Sequence, residues 1–166
     1  MKVRSVDAYV VRNRENYLHF RWRIKGTTRV IVPEPAGAGR EDGLWQTTCF
    51  ELFLREPGSE NYLEFNFSPS GRWAAYGFDG YRTGLAERPM GQPPIAQVHR
   101  HAAVLTLDAQ IRSVMLPPRP WDIGLSAVVE EEGGVKSYWA LAHAPGKPDF
   151  HHPDCFAAQV AAPVAP

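Results

Sequence analysis

Residues 44–82 read LWQTTCFELFLREPGSENYLEFNFSPSGRWAAYGFDGYR, and their pattern decides the fold. Aromatic and aliphatic residues recur at alternate positions from Thr47 to Arg55 and from Asn61 to Ser68. That is the period of a β-strand. EPGSE between these runs and SPSG after them supply turn residues. The stretch therefore predicts three successive antiparallel strands.

A turn at Glu56-Pro57-Gly58-Ser59 sets Arg55 opposite Glu60. Phe53 then faces Tyr62, Glu51 faces Glu64, Cys49 faces Asn66 and Thr47 faces Ser68. On the other side Leu52 meets Leu63 and Phe50 meets Phe65, a hydrophobic core surface. Directly opposed like charges destabilise a strand pair. The two glutamates thus call for a bound cation, an intervening arginine such as Arg72 or Arg82, a retained proton or solvent. The second turn leaves two options. A four-residue SPSG turn puts Trp73, Ala75 and Gly77 on the polar face; a three-residue loop with Gly71 left-handed puts Tyr76 and Phe78 there.

Upstream, residues 5–12 and 16–25 read as strands joined by a polar turn at 13–16. In the second, Leu18, Phe20, Trp22 and Ile24 alternate with His19, Arg21, Arg23 and Lys25, so one face is buried and one wet. Arg29 to Val32 is a further short strand stopped by Pro33, and the Pro/Gly-rich loop 33–43 is long enough to cover a site. Downstream, 83–94 is irregular, and 95–100 and 103–108 are strands. Residues 109–115 fit either a strand or a helical turn. Residues 121–131 and 135–143 form a hairpin through Gly133-Gly134, with Val128 opposite Trp139 and Gly124 opposite His143. The tail APGKPDFHHPDCF is irregular, with a last strand near 156–160 and a frayed end at 161–166.

Fifteen prolines and fourteen glycines among 166 residues suit short strands and turns rather than long helices. The expected fold is all-β: a single-domain, two-layer antiparallel β-sandwich of jelly-roll or immunoglobulin-like type over residues 1–160, with barrel closure as the alternative. Eighteen basic and eighteen acidic residues give zero net charge, which provides no bias towards nucleic acid or membrane. No signal peptide or membrane span is visible, so the expected location is the cytoplasm. Cys49 and Cys155 are accordingly expected as thiols.

Three segments, LWQTTCFELFL, YLEFNFSPSGRWAAYGFDGYR and SYWALAHAPGKPDFHHPDCF, together resemble the DOMON-like superfamily. The similarity is to its small bacterial single-domain type, of undefined function and related to family 9 carbohydrate-binding modules. It implies a β-sandwich that binds a sugar or haem on its concave sheet. Sugar-binding relatives often carry an acidic residue where this chain has Thr47 or Thr48, so a metal or sugar contact there is not carried over.

The leading candidate site is the polar face of the meander. Glu51, Glu64 and Asn66 supply hydrogen bonds, Trp45 with Trp73 or Tyr76 supplies flat aromatic walls, and the tail loop contributes His143 or His151 if it folds over this face. Convergent polar groups among aromatics are the usual small-molecule site, and a sugar is the expected ligand. The same two glutamates suit a glycoside hydrolase, whose carboxyl pair stands roughly 5–10 Å apart. A partner protein on this face is the third option. Cofactors are not required. A calcium or other divalent ion is an alternative occupant, with His143, Asp149 and His151 as a weaker metal set. Haem would draw on Met90 or Met115 with His99, His101 or His143, and no Cys-x-x-Cys-His is present.

Overall fold

The computed structural model describes residues 3–12 and 16–162. The predicted turn at 13–16 and the frayed end lie largely outside them. The strands are β1 (Ser5–Arg12), β2 (Tyr17–Lys25), β3 (Gly39–Arg40), β4 (Cys49–Arg55), β5 (Tyr62–Phe67), β6 (Arg72–Phe78) and β7 (Ala86–Glu87). They continue with β8 (Ile95–His101), β9 (Val104–Arg112), β10 (Trp121–Glu131), β11 (Val135–Ala140) and β12 (Ala158–Val160). The strand option holds for 109–112, and a 3-10 turn takes Ser113–Met115.

Two sheets form. One has four strands in the order β1-β2-β9-β8; the other has eight, in the order β11-β10-β4-β5-β6-β3, with β12 added on β10 and β7 on β6. The pairing of β3 with β6 is parallel and the other named strand pairs are antiparallel. The sheets stay separate, so the fold is a β-sandwich rather than a closed barrel. Between them lies the core. Phe20, Trp22 and Ile24 of β2 meet Phe50 and Leu52 of β4 and Phe65 and Phe67 of β5. The Trp22 ring stands 5.7 Å from Phe50 and 6.1 Å from Phe67. Each of these side chains is fully enclosed, and such burial contributes roughly 1.5–3 kcal/mol apiece.

Alternation therefore assigns the faces of β4 and β5 as expected, but the register differs. Glu51 pairs with Asn66, Phe53 with Glu64, and Arg55 with Tyr62. The strands are shifted by two residues because the turn continues past Ser59. Ser59 N–H closes a β-turn on Glu56 O at 2.9 Å, and Asn61 N–H then bonds Ser59 Oγ at 3.0 Å. A two-residue shift preserves the faces and changes the partners.

At the second turn the three-residue loop is present. Ser68 N–H bonds Arg72 O, and Gly71 has φ +90°. Tyr76 thus shares a face with Glu64, while Trp73 turns into the core between the sheets. The last hairpin is also one residue longer at its turn than expected. Glu131 pairs with Val135, and both Gly133 and Gly134 have positive φ. This odd shift reverses the faces of β11, setting Tyr138 rather than Trp139 opposite Val128 and packing Trp139 against the core. Arg29 to Val32 forms only an isolated bridge, Val30 with Glu131.

Candidate functional site

The outer face of the eight-stranded sheet carries cross-strand rows of side chains. One row runs Ala140, Ser126, Glu51, Asn66, Ala74; the next runs Gly124, Phe53, Glu64, Tyr76. A cavity of about 830 Å³ opens there, with Glu51, Glu64, Tyr76, Phe78 and Val128 among its strand-borne lining.

Three loops and the last hairpin build the walls. Loop 36–43 is tied down by Ala36 N–H to Ser70 O at 2.8 Å, by β3 and by Glu41 N–H to Trp73 O at 2.9 Å. It brings Asp42 to the rim, where the Tyr76 hydroxyl donates to it and Arg40 clamps it at 2.9 Å. Trp45 follows on a 3-10 turn, Leu44–Gln46, and lines the cavity while 54% exposed. Tyr138 and Lys136 enter from β11, and the Lys136 ammonium donates to Gln46 O.

Residues 144–157 fold across this same face. His151 Nδ1 sits 2.8 Å from the Tyr62 hydroxyl, which accepts from Arg82 N–H at 3.2 Å. The imidazole meets Phe53 and Phe78 nearly edge-on at 5.1 and 5.2 Å. With Arg82 N–H on its oxygen, Tyr62 is free to donate to Nδ1, which leaves the Nε2 proton facing Glu64. Burial, then the charge of Arg82, pushes His151 down to about 4, so the ring is neutral near pH 7. Asp149 anchors the loop. It accepts from Tyr81, from Arg82 at 2.7 Å and from its neighbour His151 N–H at 3.2 Å. Burial works to raise the Asp149 carboxyl, but these hydrogen bonds and the Arg82 charge hold it below its ordinary value.

The two glutamates have little compensation. Glu51 is 4% exposed and Glu64 7%. Ser126 Oγ donates to Glu51 at 3.4 Å, and Asn66 Nδ2 donates to Glu64 at 2.9 Å. Neither anticipated arginine pairs with them: Arg82 is bound to Asp149 and Arg72 lies by Glu41 at 3.5 Å. Burial and the neighbouring Glu64 push Glu51 up to about 8, against the Ser126 bond and the Arg82 charge. Burial also raises Glu64, opposed by Asn66 and Arg82. Cys49, fully buried beside them, has its thiol raised by burial and by both carboxylates, which keeps it protonated and unsuited to nucleophilic chemistry.

Of the residues expected here, Trp45, Glu51, Glu64 and Tyr76 line the cavity, and Asn66 is buried on the same face behind Glu64. Trp73 does not, because its side chain faces the core. His143 does not line it either; its ring lies 6.2 Å from Phe150. The tail loop lends His151 instead. The set His143, Asp149, His151 does not converge as a metal site: Asp149 serves Tyr81 and Arg82, and His151 serves Tyr62. Among the described residues no cluster of three or more His, Cys, Asp or Glu is arranged to hold a metal ion. Met90 and Met115 pack against the core between the sheets and do not line the cavity, and His99 and His101 are exposed on β8 of the opposite sheet. Sequence reasoning missed Asp42, Lys136, Tyr138 and Phe150 as cavity residues, and offered Arg82 as a partner of the glutamates where the structure pairs it with Asp149. A three-residue reading of the turn at Glu132–Gly134 would have found Tyr138.

The fold is similar to that of a crystal structure from Bacteroides uniformis ATCC 8492 described as "a putative carbohydrate-binding protein". The two share 13% identity with a TM-score of 0.62 over 94% of this chain and 77% of that one. No protein-family model and no curated protein sequence matches the chain.

Proposed function

We propose that the protein is a carbohydrate-binding module whose ligand occupies the cavity on the outer face of the eight-stranded sheet. The observation that carries this is the composition of that cavity: two buried carboxylates at its floor beneath an exposed tryptophan at its lip. A sugar presents hydroxyl pairs that carboxylates accept and a C–H face that stacks on a flat ring. Glu51 and Glu64 are the acceptors, and Trp45, Tyr76 and Tyr138 are the rings. The tail loop closes one side through His151. The resemblance of the sequence to DOMON-like modules, and of the fold to the Bacteroides structure, supports the same reading.

Calorimetric titration and thermal shift with a panel of mono- and disaccharides test it. Ligand at a hundred times Kd stabilises a native protein by about 2.7 kcal/mol, a readily measured rise in Tm. No heat and no shift with any sugar rejects the proposal. Steady production of reducing ends would instead make the glutamates a hydrolytic pair.

A further inference from the structure

The floor of the cavity has more acceptors than donors. Glu51 and Glu64 contribute carboxyl oxygens, and a cation seated between them displaces the proton that Glu51 otherwise keeps near pH 7. Asn66 lies directly opposite Glu51 in the ladder and is 1% exposed. Its Nδ2 is committed to Glu64, which leaves Oδ1 buried with no hydrogen-bond partner. Against these acceptors stand one long bond from Ser126 and the Asn66 amide itself. His151 Nε2, at 3.7 Å from Glu64, is beyond hydrogen-bond range. The nearby cations are already engaged: Arg82 with Asp149, Arg40 with Asp42 and Glu87, and Lys136 with the Gln46 carbonyl. A buried acceptor without a donor costs about 1–3 kcal/mol, so the floor is built for a donor-rich guest.

We propose that this floor seats a protonated primary amine, and that the carbohydrate bound here is an amino sugar whose nitrogen carries no acyl group. The inference rests on the carbohydrate reading above and names the ligand class. An ammonium brings three N–H donors and no acceptor, and the two carboxyls that line the cavity, Glu51 and Glu64, accept from it. A sugar hydroxyl brings an acceptor along with its single donor and leaves the mismatch partly in place. A divalent metal fits less well, because calcium takes six to eight oxygens and the backbone carbonyls around Glu51 and Asn66 are spent in the sheet ladder. The aromatic wall of Trp45, Tyr76 and Tyr138 then receives the pyranose ring.

The test is calorimetry at pH 7 on the full chain, comparing methyl glycosides of 2-amino-2-deoxy sugars with the parent neutral glycosides and the N-acetyl derivatives, each in the gluco, galacto and manno series. The free amine is expected to bind at least tenfold more tightly than its neutral parent in one series, and N-acetylation is expected to remove that gain. Glu51→Gln and Glu64→Gln, with folding checked by circular dichroism, are each expected to abolish the preference. The wild-type comparison needs neither variant to fold. Equal binding of neutral and amino sugars overturns the amine seat and leaves the carbohydrate reading standing. Binding of 1,5-diaminopentane but of no sugar keeps the seat and overturns the carbohydrate reading. Binding of nothing overturns both, and calcium binding that Glu51→Gln abolishes replaces the amine with a metal ion.

Discussion

His151 Nε2 stands 3.7 Å from Glu64 Oε2, joining the tail loop to the middle strand of the meander. The ring's other nitrogen is held by Tyr62 and its edges by Phe53 and Phe78, so its position follows from packing on three strands. A neutral imidazole closes this side of the cavity without adding a charge to the floor.

That neutrality has a cost in acid. The folded value of His151, about 4, lies below its ordinary 6.5 because of burial and Arg82. A depressed value means the folded state resists protonation. The stabilisation is fully present above pH 6.5 and is lost as pH falls through about 4. His151→Gln, which keeps a hydrogen-bonding side chain, is expected to flatten the acid limb of a plot of urea midpoint against pH. An unchanged limb assigns it to other groups.

Glu51 acts in the opposite direction. Burial raises it from 4.5 to about 8, with Glu64 adding to the effect. A raised value gives stability that is fully present below pH 4.5 and lost as pH rises through about 8. Glu64, also raised, adds to this decline. Glu51→Gln is therefore expected to reduce the loss between pH 5 and 9 and to be more stable than the native chain at pH 9. Chemical denaturation at pH 5, 7 and 9 checks this, and parallel declines in both proteins would falsify it.

Trp45 separates binding from folding. Its side chain is half exposed, and the neighbouring Leu44 anchors the 3-10 turn. Trp45→Ala is expected to leave Tm within a degree or two and to weaken sugar binding by roughly 1–1.5 kcal/mol, about tenfold. Titration calorimetry of the ligand found in the panel measures it. Full affinity in the variant removes Trp45 from the site.

Gly71 sets which ring reaches the cavity. Its φ of +90° disfavours any side chain, and an added Cβ would sit 3.3 Å from the Gly37 carbonyl oxygen. Gly71→Ala is expected to lose about 1–2 kcal/mol of stability and to weaken ligand binding by displacing the loop that carries Asp42. Gly58 has a similar φ, +80°, but nothing within 4 Å of such a Cβ. Gly58→Ala is expected to cost less and to leave binding unchanged. Urea denaturation of the two variants side by side decides whether close approach adds to backbone strain.

How far the site was legible varies residue by residue. Glu51 and Glu64 were placed on the outward face because Phe50, Leu52 and Leu54 alternate around one and Leu63 and Phe65 flank the other. Their mutual position was not legible, since Ser59 lengthens the turn through a side-chain bond that leaves no trace in periodicity. The choice between Trp73 and Tyr76 hung on the conformation of Gly71, and both turns satisfy the same four letters. Tyr138 was missed by a single residue at Gly133-Gly134.

The amino-acid sequence by itself determined that this chain is all-β and which side of β4 and β5 is apolar, because alternation is a local property that burial reads directly; that the sheets stay apart as a sandwich was decided by the tertiary structure. Tertiary structure alone decided what faces the glutamates. Asp42, Arg82, Tyr138 and His151 come to the cavity around them from separate loops and strands. The charge state of the floor follows from how completely those loops exclude water and from Arg82 being taken by Asp149. Desolvation and ion pairing depend on distances in space, and no spacing along the chain encodes them.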